Sequence, residues 1–289
     1  MAFPSGALIL SSSLMLILVA FPVPDVHANS WRHAAPNVAG GGGNIRNKAQ
    51  ASSKHHRPKF QPSPWKDAHA TFYEGDSGSF GGACGYEDVV KDGYGLDTAA
   101  VSSVLFQEGK ICGACFEIKC VNSPQWCIPG QPSITVTATN LCPPNYAQGN
   151  DNGGWCNPPR EHFDLAKPAY LKIAEYKGGI VPVQYRRVPC ARKGGIRFTV
   201  TGNPYFNLVK VWNVGGAGDI TQLQVKGDKK LKWTDLKRNW GEKWETNAML
   251  VGESLTFRVR ASDGRYSTAW KVAPKDWQFG QTFEGKNFP

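Results

Sequence analysis

Alternating apolar and polar residues run through much of the chain and predict short β-strands. The clearest example is 133–139, where every second side chain is apolar, as in a half-buried strand. Residues 181–185 alternate in the same way, and Pro182 favours a sheet edge because proline has no N–H for a ladder. At 98–107 the apolar residues fall at helical spacing, so a helix is predicted there. A second helix is predicted to begin near Pro168.

The C-terminal third repeats this strand pattern at regular intervals, with Gly and Asp in the turns. The predicted strands are 196–200, 208–212, 220–225, 255–260 and 267–272. Their even spacing favours an antiparallel β-sandwich. A glycine-containing linker at 192–195 divides the chain into a first domain at 65–193 and a second at 194–289. The second domain has no cysteine, so we assign the mid-strand Trp212 and Trp270 to its core.

The N-terminus has the composition of a secretory signal. Residues 7–21 are apolar but short for a bilayer span, and small residues follow, which predicts a signal peptide, 1–28, cleaved after Ala28. A membrane anchor is the alternative. Residues 29–64 contain no acid and predict a flexible basic leader. The formal net charge of +10 resides mainly in this leader and the C-terminal third, which does not favour a nucleic-acid partner.

Eight cysteines lie in one central stretch of the chain. In a secreted protein an even number predicts disulfides, here four, although the sequence leaves their pairing open. The Cys112-Gly-Ala-Cys115 spacing also occurs in zinc and redox sites. Zinc usually needs a second close pair of ligands, and redox use needs a cytosolic βαβ setting. Neither is found, so disulfides are favoured and no metal or cofactor is expected.

Several blocks of residues between residue 65 and the C-terminus resemble those of the plant α-expansins, in the same order. They include Thr71-Phe72-Tyr73, Cys112-Gly113-Ala114-Cys115, Gly154-Trp155-Cys156-Asn157-Pro158-Pro159, His162-Phe163-Asp164, Tyr185-Arg186-Arg187-Val188-Pro189-Cys190 and Arg238-Asn239-Trp240-Gly241. One block alone is a weak signal, but the ordered set is specific. The leader at 29–64 lies outside the resemblance.

This resemblance implies a fold and an activity. The fold is all-β: an N-terminal six-stranded double-psi β-barrel, similar to family 45 endoglucanases, followed by a C-terminal immunoglobulin-like β-sandwich that binds cellulose. The activity is loosening of plant cell walls, without hydrolysis and best in acid. The disulfides implied by related barrels are Cys84–Cys112, Cys115–Cys190, Cys120–Cys127 and Cys142–Cys156.

The candidate chemistry concerns carboxyl groups, because glycoside hydrolysis normally uses two of them. Asp164 has apolar neighbours, so we expect it at a groove edge with a raised pKa. A helix N-cap is the alternative, but the resemblance matches Asp164 to the hydrolases' acid. Their second acid corresponds here to Asn140, whose amide cannot act as a base. Asp151 and Glu161 lie in a polar loop, where a solvated surface role is favoured.

The resemblance also assigns the residues that bind polysaccharide. Thr71 and Tyr73 share one side of a strand, and with Asn140 and Asp164 they form the expected glucan groove. For Tyr73 a core position is the alternative. Asp76 lies in a loop that departs from the family, so contacts at that rim stay open.

In the second domain the expected cellulose platform consists of Tyr205, Phe206 and Trp240, since aromatic faces stack on sugar rings. Core packing is the alternative for each, and Trp244 is a weaker candidate. Nearby basic residues suggest contact with acidic pectin, although a solvated face explains them equally well. These residues are Lys229, Lys230, Lys232, Lys237 and Lys243.

Three functional hypotheses follow. The favoured one is a secreted, monomeric wall-loosening protein whose groove holds a xyloglucan-like matrix glucan while its sandwich binds cellulose. The second is an endoglucanase or transglycosylase, which would need another acid in the groove. The third is a barwin-like carbohydrate-binding or defence protein, which the complete second domain disfavours because those proteins are single barrels.

Overall fold

The computed structural model describes residues 59–74 and 81–288, so the predicted signal peptide and most of the leader lie outside the described residues. The first half folds as six strands and two short helices. These elements are β1 Lys66–Tyr73, β2 Thr98–Ser102, α1 Ser103–Phe106, β3 Cys115–Cys120, β4 Ser133–Cys142, β5 His162–Ala166, α2 Lys167–Tyr170 and β6 Val181–Val188. No helix among the described residues is long and apolar enough to cross a bilayer.

The six strands close into a barrel in the order β1-β5-β2-β4-β3-β6. The pairs β1–β5 and β2–β4 are parallel, and the other four are antiparallel. Apolar residues such as Phe116 and Phe163 fill the interior. Since β6 pairs with β1 on one side and β3 on the other, the edge position predicted from Pro182 is wrong.

The helix predicted at 98–107 is also wrong over its first half. Residues 98–102 form strand β2, buried along its whole length, and the four-residue α1 with a 3-10 turn at Gln107–Gly109 follows it. A central strand covered on both faces has no polar alternation, so its apolar run cannot be told from a helix by spacing alone. The second helix, α2, begins at Lys167 with Pro168 in its first turn.

All eight cysteines are paired, and the pairing is the one that the resemblance implies. The disulfides are Cys84–Cys112, Cys115–Cys190, Cys120–Cys127 and Cys142–Cys156. Cys112 and Cys115 therefore belong to two different disulfides, which excludes both a zinc site and a redox pair between them. Cys142–Cys156 closes a loop outside the barrel wall and limits its freedom in the unfolded chain.

The second half is an antiparallel β-sandwich. Its strands are β7 Arg197–Asn203, β8 Phe206–Trp212, β9 Ile220–Lys226, β10 Thr234–Trp240, β11 Lys243–Thr246, β12 Leu255–Ala261, β13 Tyr266–Ala273 and β14 Thr282–Glu284. The order β13-β12-β9-β10 forms one layer, and β11-β8-β7-β14 continues from β10 into the other. We call the layer β11-β8-β7-β14 the first sheet and the layer β13-β12-β9-β10 the second sheet. Phe198 of the first stacks on Phe257 of the second, with ring centroids 4.7 Å apart.

Every strand predicted for this half is present, but three others were missed. Strands β10, β11 and β14 are mostly polar and bury few side chains, so they carry little hydrophobic signal. The prediction that Trp270 is a core residue is wrong, whereas Trp212 is buried. Small residues, Ser267 and Ala269, occupy the inward positions of β13, and Trp270 lies on the outer face with 65% of its surface exposed.

Hydrogen bonds and ion pairs fix the sandwich to the barrel. Arg187 of β6 pairs with Asp219 at 2.6 Å. The backbones of Cys190 and Gly216 bond to each other in both directions. The N–H of Glu242 donates to the carbonyl of Cys84 at 2.9 Å. The junction therefore consists of paired groups on both sides rather than a loose linker.

The predicted linker and the end of the predicted leader are held by contacts at the same junction. Within the linker, Arg192 donates to the Thr137 hydroxyl at 2.8 Å. The last residues of the leader, 59–64, pack on the fold: the N–H of Ser63 donates to the carbonyl of Arg187, whose own N–H donates to the Ser63 hydroxyl. Where the structure describes it, the leader is attached along β6.

Candidate functional site

Four residues on neighbouring strands form a row across the barrel. The register pairs Thr71 with Asp164, Asp164 with Ala100, and Ala100 with Asn140. Residues directly paired across strands point to the same face of the sheet. A bulge in β4 beside Thr139 shifts the register by one residue and so aligns Asn140 with the row. The predicted groove residues Thr71, Asp164 and Asn140 are thus brought together.

A short hydrogen-bond chain ends at the carboxylate. The Thr71 hydroxyl donates to Asp164 Oδ1 at 2.8 Å and lies 2.8 Å from His162 Nε2. Because the hydroxyl has one proton, His162 Nε2 must be the donor in that second contact. His162 is fully buried, and burial, assisted by His69 and Arg160, lowers its pKa to about 3. A neutral imidazole therefore orients Thr71 toward Asp164.

Asp164, which the sequence predicts as the functional acid, lies in surroundings that alter its titration. Burial raises its pKa above the usual value, and the hydrogen bond from Thr71 opposes this only in part. The carboxyl therefore takes up a proton at a higher pH than an exposed aspartate does. In an acidic medium it can donate a hydrogen bond as well as accept one.

Asn140 occupies the place of a second acid. Two strand spacings separate its backbone from that of Asp164, about 9–10 Å. In inverting hydrolases the second carboxyl lies about 6.5–9.5 Å from the first. Here, however, the group is an amide. Its Oδ1 accepts from the N–H of Ala83 at 2.7 Å and of Leu141 at 2.9 Å, which anchors a loop instead.

The two alternative carboxyls are engaged elsewhere. Asp151 is exposed and paired with Arg160. Glu161 accepts from the Tyr185 hydroxyl at 2.6 Å and lies near Lys66 on another part of the barrel. Neither lines the cavity above Asp164, and within the described residues Asp164 is the one carboxyl that does.

That cavity, of about 580 Å³, contains a residue that was not identified as functional from the sequence. Thr71, Asp164, Gly179 and Ile180 are among the residues that line the cavity. The half-buried indole of Trp155 forms part of its wall. The sequence offered one indication of its role, its position in the Gly-Trp-Cys-Asn-Pro-Pro motif. The spacing of residues does not show, however, that the loop folds so that the indole reaches the cavity.

The Trp155 loop is held in shape by its own hydrogen bonds. Asn157 is buried, accepts from the N–H of Asn145 at 2.7 Å and donates to the carbonyls of Asn145 and Gln148. A Cβ at Gly154 would lie 2.4 Å from the Asn157 amide nitrogen, so only glycine fits there. Together with Cys142–Cys156, these bonds fix the indole beside the cavity.

Two of the four predicted groove residues do not line the cavity. Asn140 lies in the row, but its amide oxygen accepts from Ala83 and Leu141. Tyr73 is half-buried at the end of β1, opposite Ala166. Asp76, which was left open at the rim, lies outside the described residues.

The three aromatic residues predicted for the cellulose platform are all exposed. Tyr205 exposes 77% of its surface, Phe206 40% and Trp240 41%. The Asn203 side chain accepts from the N–H groups of Tyr205 and Phe206, which fixes the β7–β8 turn. Trp240 ends β10 next to the barrel. The weaker candidate Trp244 is buried in the sandwich core.

Two family models match this chain. One, described as the Expansin C-terminal domain, matches residues 196–274, and the other, described as Lytic transglycolase, matches residues 98–185. Their boundaries fall within the sandwich and the barrel, respectively.

Similar proteins come from plants, and similar structures from a bacterium. Expansin-A32 of Oryza sativa subsp. japonica is 64% identical over 80% of this chain and 87% of its own. Expansin-A22 of Arabidopsis thaliana is 48% identical over 94% and 95%. Apo Clavibacter michiganensis expansin, 20% identical, has a TM-score of 0.59 over 78% of this chain and 99% of its own, which shows a shared fold. A mutant of that protein in complex with cellohexaose, 18% identical, gives the same TM-score and coverage. Taken together with the barrel, the sandwich and the acid–amide row, these matches show that the chain belongs to the expansin family, among its expansin-A members.

Proposed function

We propose that this expansin is secreted and loosens plant cell walls by weakening non-covalent adhesion between cellulose and matrix glucans, without cutting either. The observation that carries the proposal is the row in which Asp164 faces Asn140. A hydrolase needs a second carboxyl as base or nucleophile, and an amide cannot replace it. The barrel of this expansin therefore keeps a glycosidase-like binding groove but, among the described residues, has only one of the two carboxyl groups that hydrolysis needs.

The described residues support a division of labour. In the groove, Asp164 and Thr71 hydrogen-bond to glucan hydroxyls, and a protonated Asp164 also donates to a sugar oxygen. Such bonds compete with those between neighbouring polysaccharide chains. On the sandwich, Tyr205, Phe206 and Trp240 stack on the apolar faces of cellulose. Loosening in acid follows from the raised pKa of Asp164.

The finer partner assignments belong to the same proposal. Apart from Asp164 the residues that line the cavity are uncharged, which suits an uncharged matrix glucan of the xyloglucan type, and the bacterial expansin complex with cellohexaose supports binding of β-glucan. Contact of the lysines at 229, 230, 232, 237 and 243 with acidic pectin stays a prediction, and so does the monomeric state. Four disulfides are consistent with an oxidising, extracellular compartment.

Creep of heat-inactivated wall strips under constant load at acid pH, with soluble sugar measured alongside, tests this function. We expect extension without released sugar. A Tyr205→Ala/Trp240→Ala variant should bind cellulose at least about tenfold more weakly, because each exposed ring contributes on the order of 1 kcal/mol or more, and should lose most of its creep. Tyr146→Ala, an exposed ring of the barrel loop, is the matched control and should retain both. Released sugar would contradict the proposal.

Trp155 supplies a second prediction for the groove. Trp155→Ala should weaken binding of a soluble xyloglucan oligosaccharide by roughly fivefold to tenfold, since it removes a stacking surface beside Asp164. Trp155→Phe should recover much of the loss. The affinity is measured by titration calorimetry with both substitutions made in the platform variant Tyr205→Ala/Trp240→Ala. In that background binding to the platform is removed, so the heat reports binding in the groove. Equal affinity with and without the indole would show that the loop does not contact sugar.

A further inference from the structure

The outer face of the second sheet carries aromatic rings and guanidinium groups that the proposed function does not use. We call it the arginine–aromatic face and define it by Trp233, Arg258, Arg260, Tyr266 and Trp270. None of these residues belongs to the groove or to the predicted platform.

Strand register places the members of this face side by side. Arg258 pairs with Thr268 and Arg260 with Tyr266. Both arginines on β12 therefore lie on the same outer face of the sheet as Tyr266 and Trp270 on β13. The residues that alternate with them on β12, Phe257 and Val259, are fully buried in the core. Tyr266 and Trp270 expose 51% and 65% of their surfaces.

The arginines of this face differ from the other arginines of the described chain. Every other one donates to a side chain or a carbonyl inside the fold; they are Arg160, Arg186, Arg187, Arg192, Arg197, Arg238 and Arg265. Arg258 and Arg260 have no hydrogen bond or ion pair from their guanidinium groups to any residue in 59–74 or 81–288. Instead, Arg258 lies 3.9 Å from the centroid of Trp233, and Arg260 lies 5.5 Å from that of Tyr266.

Stacking on a ring orients each guanidinium while leaving its N–H edge free. That edge matches the two oxygens of a carboxylate. Trp233 packs edge-on against Trp270 at 6.1 Å, which supports a ring that is otherwise open to solvent. The face thus combines donors for a carboxylate with an exposed ring for the apolar side of a sugar.

The charge on and around the face is almost entirely positive. Lys226 lies near Trp233, and Lys271 follows Trp270 on β13. The nearby acid, Asp235, already accepts a hydrogen bond from Gln222 at 2.6 Å. The arginines therefore face no competing carboxylate, and the surface is complementary to a polyanion.

We propose that the arginine–aromatic face binds uronic acids of an acidic wall polysaccharide, with Arg258 and Arg260 holding carboxylates and Trp270 stacking on a sugar ring. This rests on the acidic-polymer contact included in the proposed function and deepens it, because it places that contact on a surface separate from the cellulose platform. It also assigns acidic-polymer binding to residues other than the lysines considered from the sequence.

Titration calorimetry with the full-length protein at about pH 5.5 tests the proposal, with de-esterified oligogalacturonate, its methyl ester and cellohexaose as probes. We expect the acid form to bind and its ester to bind at least about tenfold more weakly, since the ester has no charged carboxylate. Arg258→Gln/Arg260→Gln should lose about tenfold in affinity for the acid form. Arg258→Lys/Arg260→Lys should fall between this variant and the original protein, because lysine keeps the charge but not the planar fork.

The matched control is Lys275→Gln/Lys286→Gln, which removes the same charge from exposed residues of the same domain that lie outside the face and outside the predicted lysine set. Affinity for the acid form should change by less than about twofold in this variant, the range of a screened surface charge. Equal losses in the two glutamine variants would overturn the proposal in favour of net charge alone. Equal binding of ester and acid would overturn it in favour of neutral sugar binding, and no binding would also overturn it. Creep is recorded in parallel, so that failure of this site and failure of wall loosening are distinguished.

Discussion

Exchange of Asp164 for asparagine is expected to reduce wall creep by about fivefold or more while cellulose binding stays unchanged. The amide has the size of the carboxyl and can still accept from Thr71, but it carries no charge and no acidic proton. In the protonated form that acid pH favours, the carboxyl O–H is a stronger donor than an amide N–H, and loss of a buried hydrogen bond costs about 1–3 kcal/mol, which corresponds to about fivefold to a hundredfold. The measurement is the creep rate of wall strips at acid pH, at equal amounts of bound protein.

Asp151→Asn is the matched control for this experiment. It makes the same chemical change in an exposed residue that is already paired with Arg160, so creep should be unaltered. Unchanged creep in Asp164→Asn would show that Asp164 is not the functional acid. A loss of both creep and cellulose binding would instead indicate a folding defect, which the unfolding transition would reveal.

The folded protein is expected to be most stable, with little dependence on pH, between about pH 4.5 and 6.5. Burial raises the pKa of Glu242 from 4.5 to about 8, and Arg238 beside it offsets this only in part. Its stabilising contribution is complete below pH 4.5 and is lost as the pH rises to 8. His162 acts oppositely: its pKa falls from 6.5 to about 3, so its contribution is complete above pH 6.5 and is lost as the pH falls to 3.

Between the two usual pKa values these effects cancel, because each changes stability by about 1.4 kcal/mol per pH unit. Above pH 6.5 Glu242 alone titrates, so the free energy of unfolding should fall toward pH 8 by on the order of 2 kcal/mol. Urea unfolding from pH 4 to 9 measures this. Glu242→Gln should remove the alkaline fall, whereas Glu108→Gln, at an exposed position, should not. An unchanged fall in Glu242→Gln would assign it to another group.

Much of the architecture could be predicted from the sequence. Alternation identified β4 and β6, and even spacing identified most sandwich strands, because these elements bury one face. The ordered motifs located Asp164 and Asn140. No spacing argument could align them, since their alignment depends on a bulge at Thr139 that shifts the register of β4.

The remaining differences have physical causes. Strand β2 has no polar face, so its apolar residues were taken for a helix. The mid-strand position of Trp270 predicts a core residue, yet the small Ser267 and Ala269 occupy the inward positions of the strand. Trp155 joins the groove only through the fold of a loop held by Asn157 and a disulfide. Each case depends on tertiary contacts that no local pattern records.

The connection between groove and sandwich has a mechanical consequence. Asn140 bonds to Ala83, and the next residue, Cys84, accepts from Glu242, two residues after Trp240. A Cβ on Gly241 would lie 2.4 Å from Cys84, so the two parts touch without space between them. Because the groove and the sandwich are in direct contact along this path, the protein has no hinge there that could do mechanical work by a change of shape. We therefore expect the work of extension to come from tension already stored in the wall, with the protein only separating loaded polymers so that they slide.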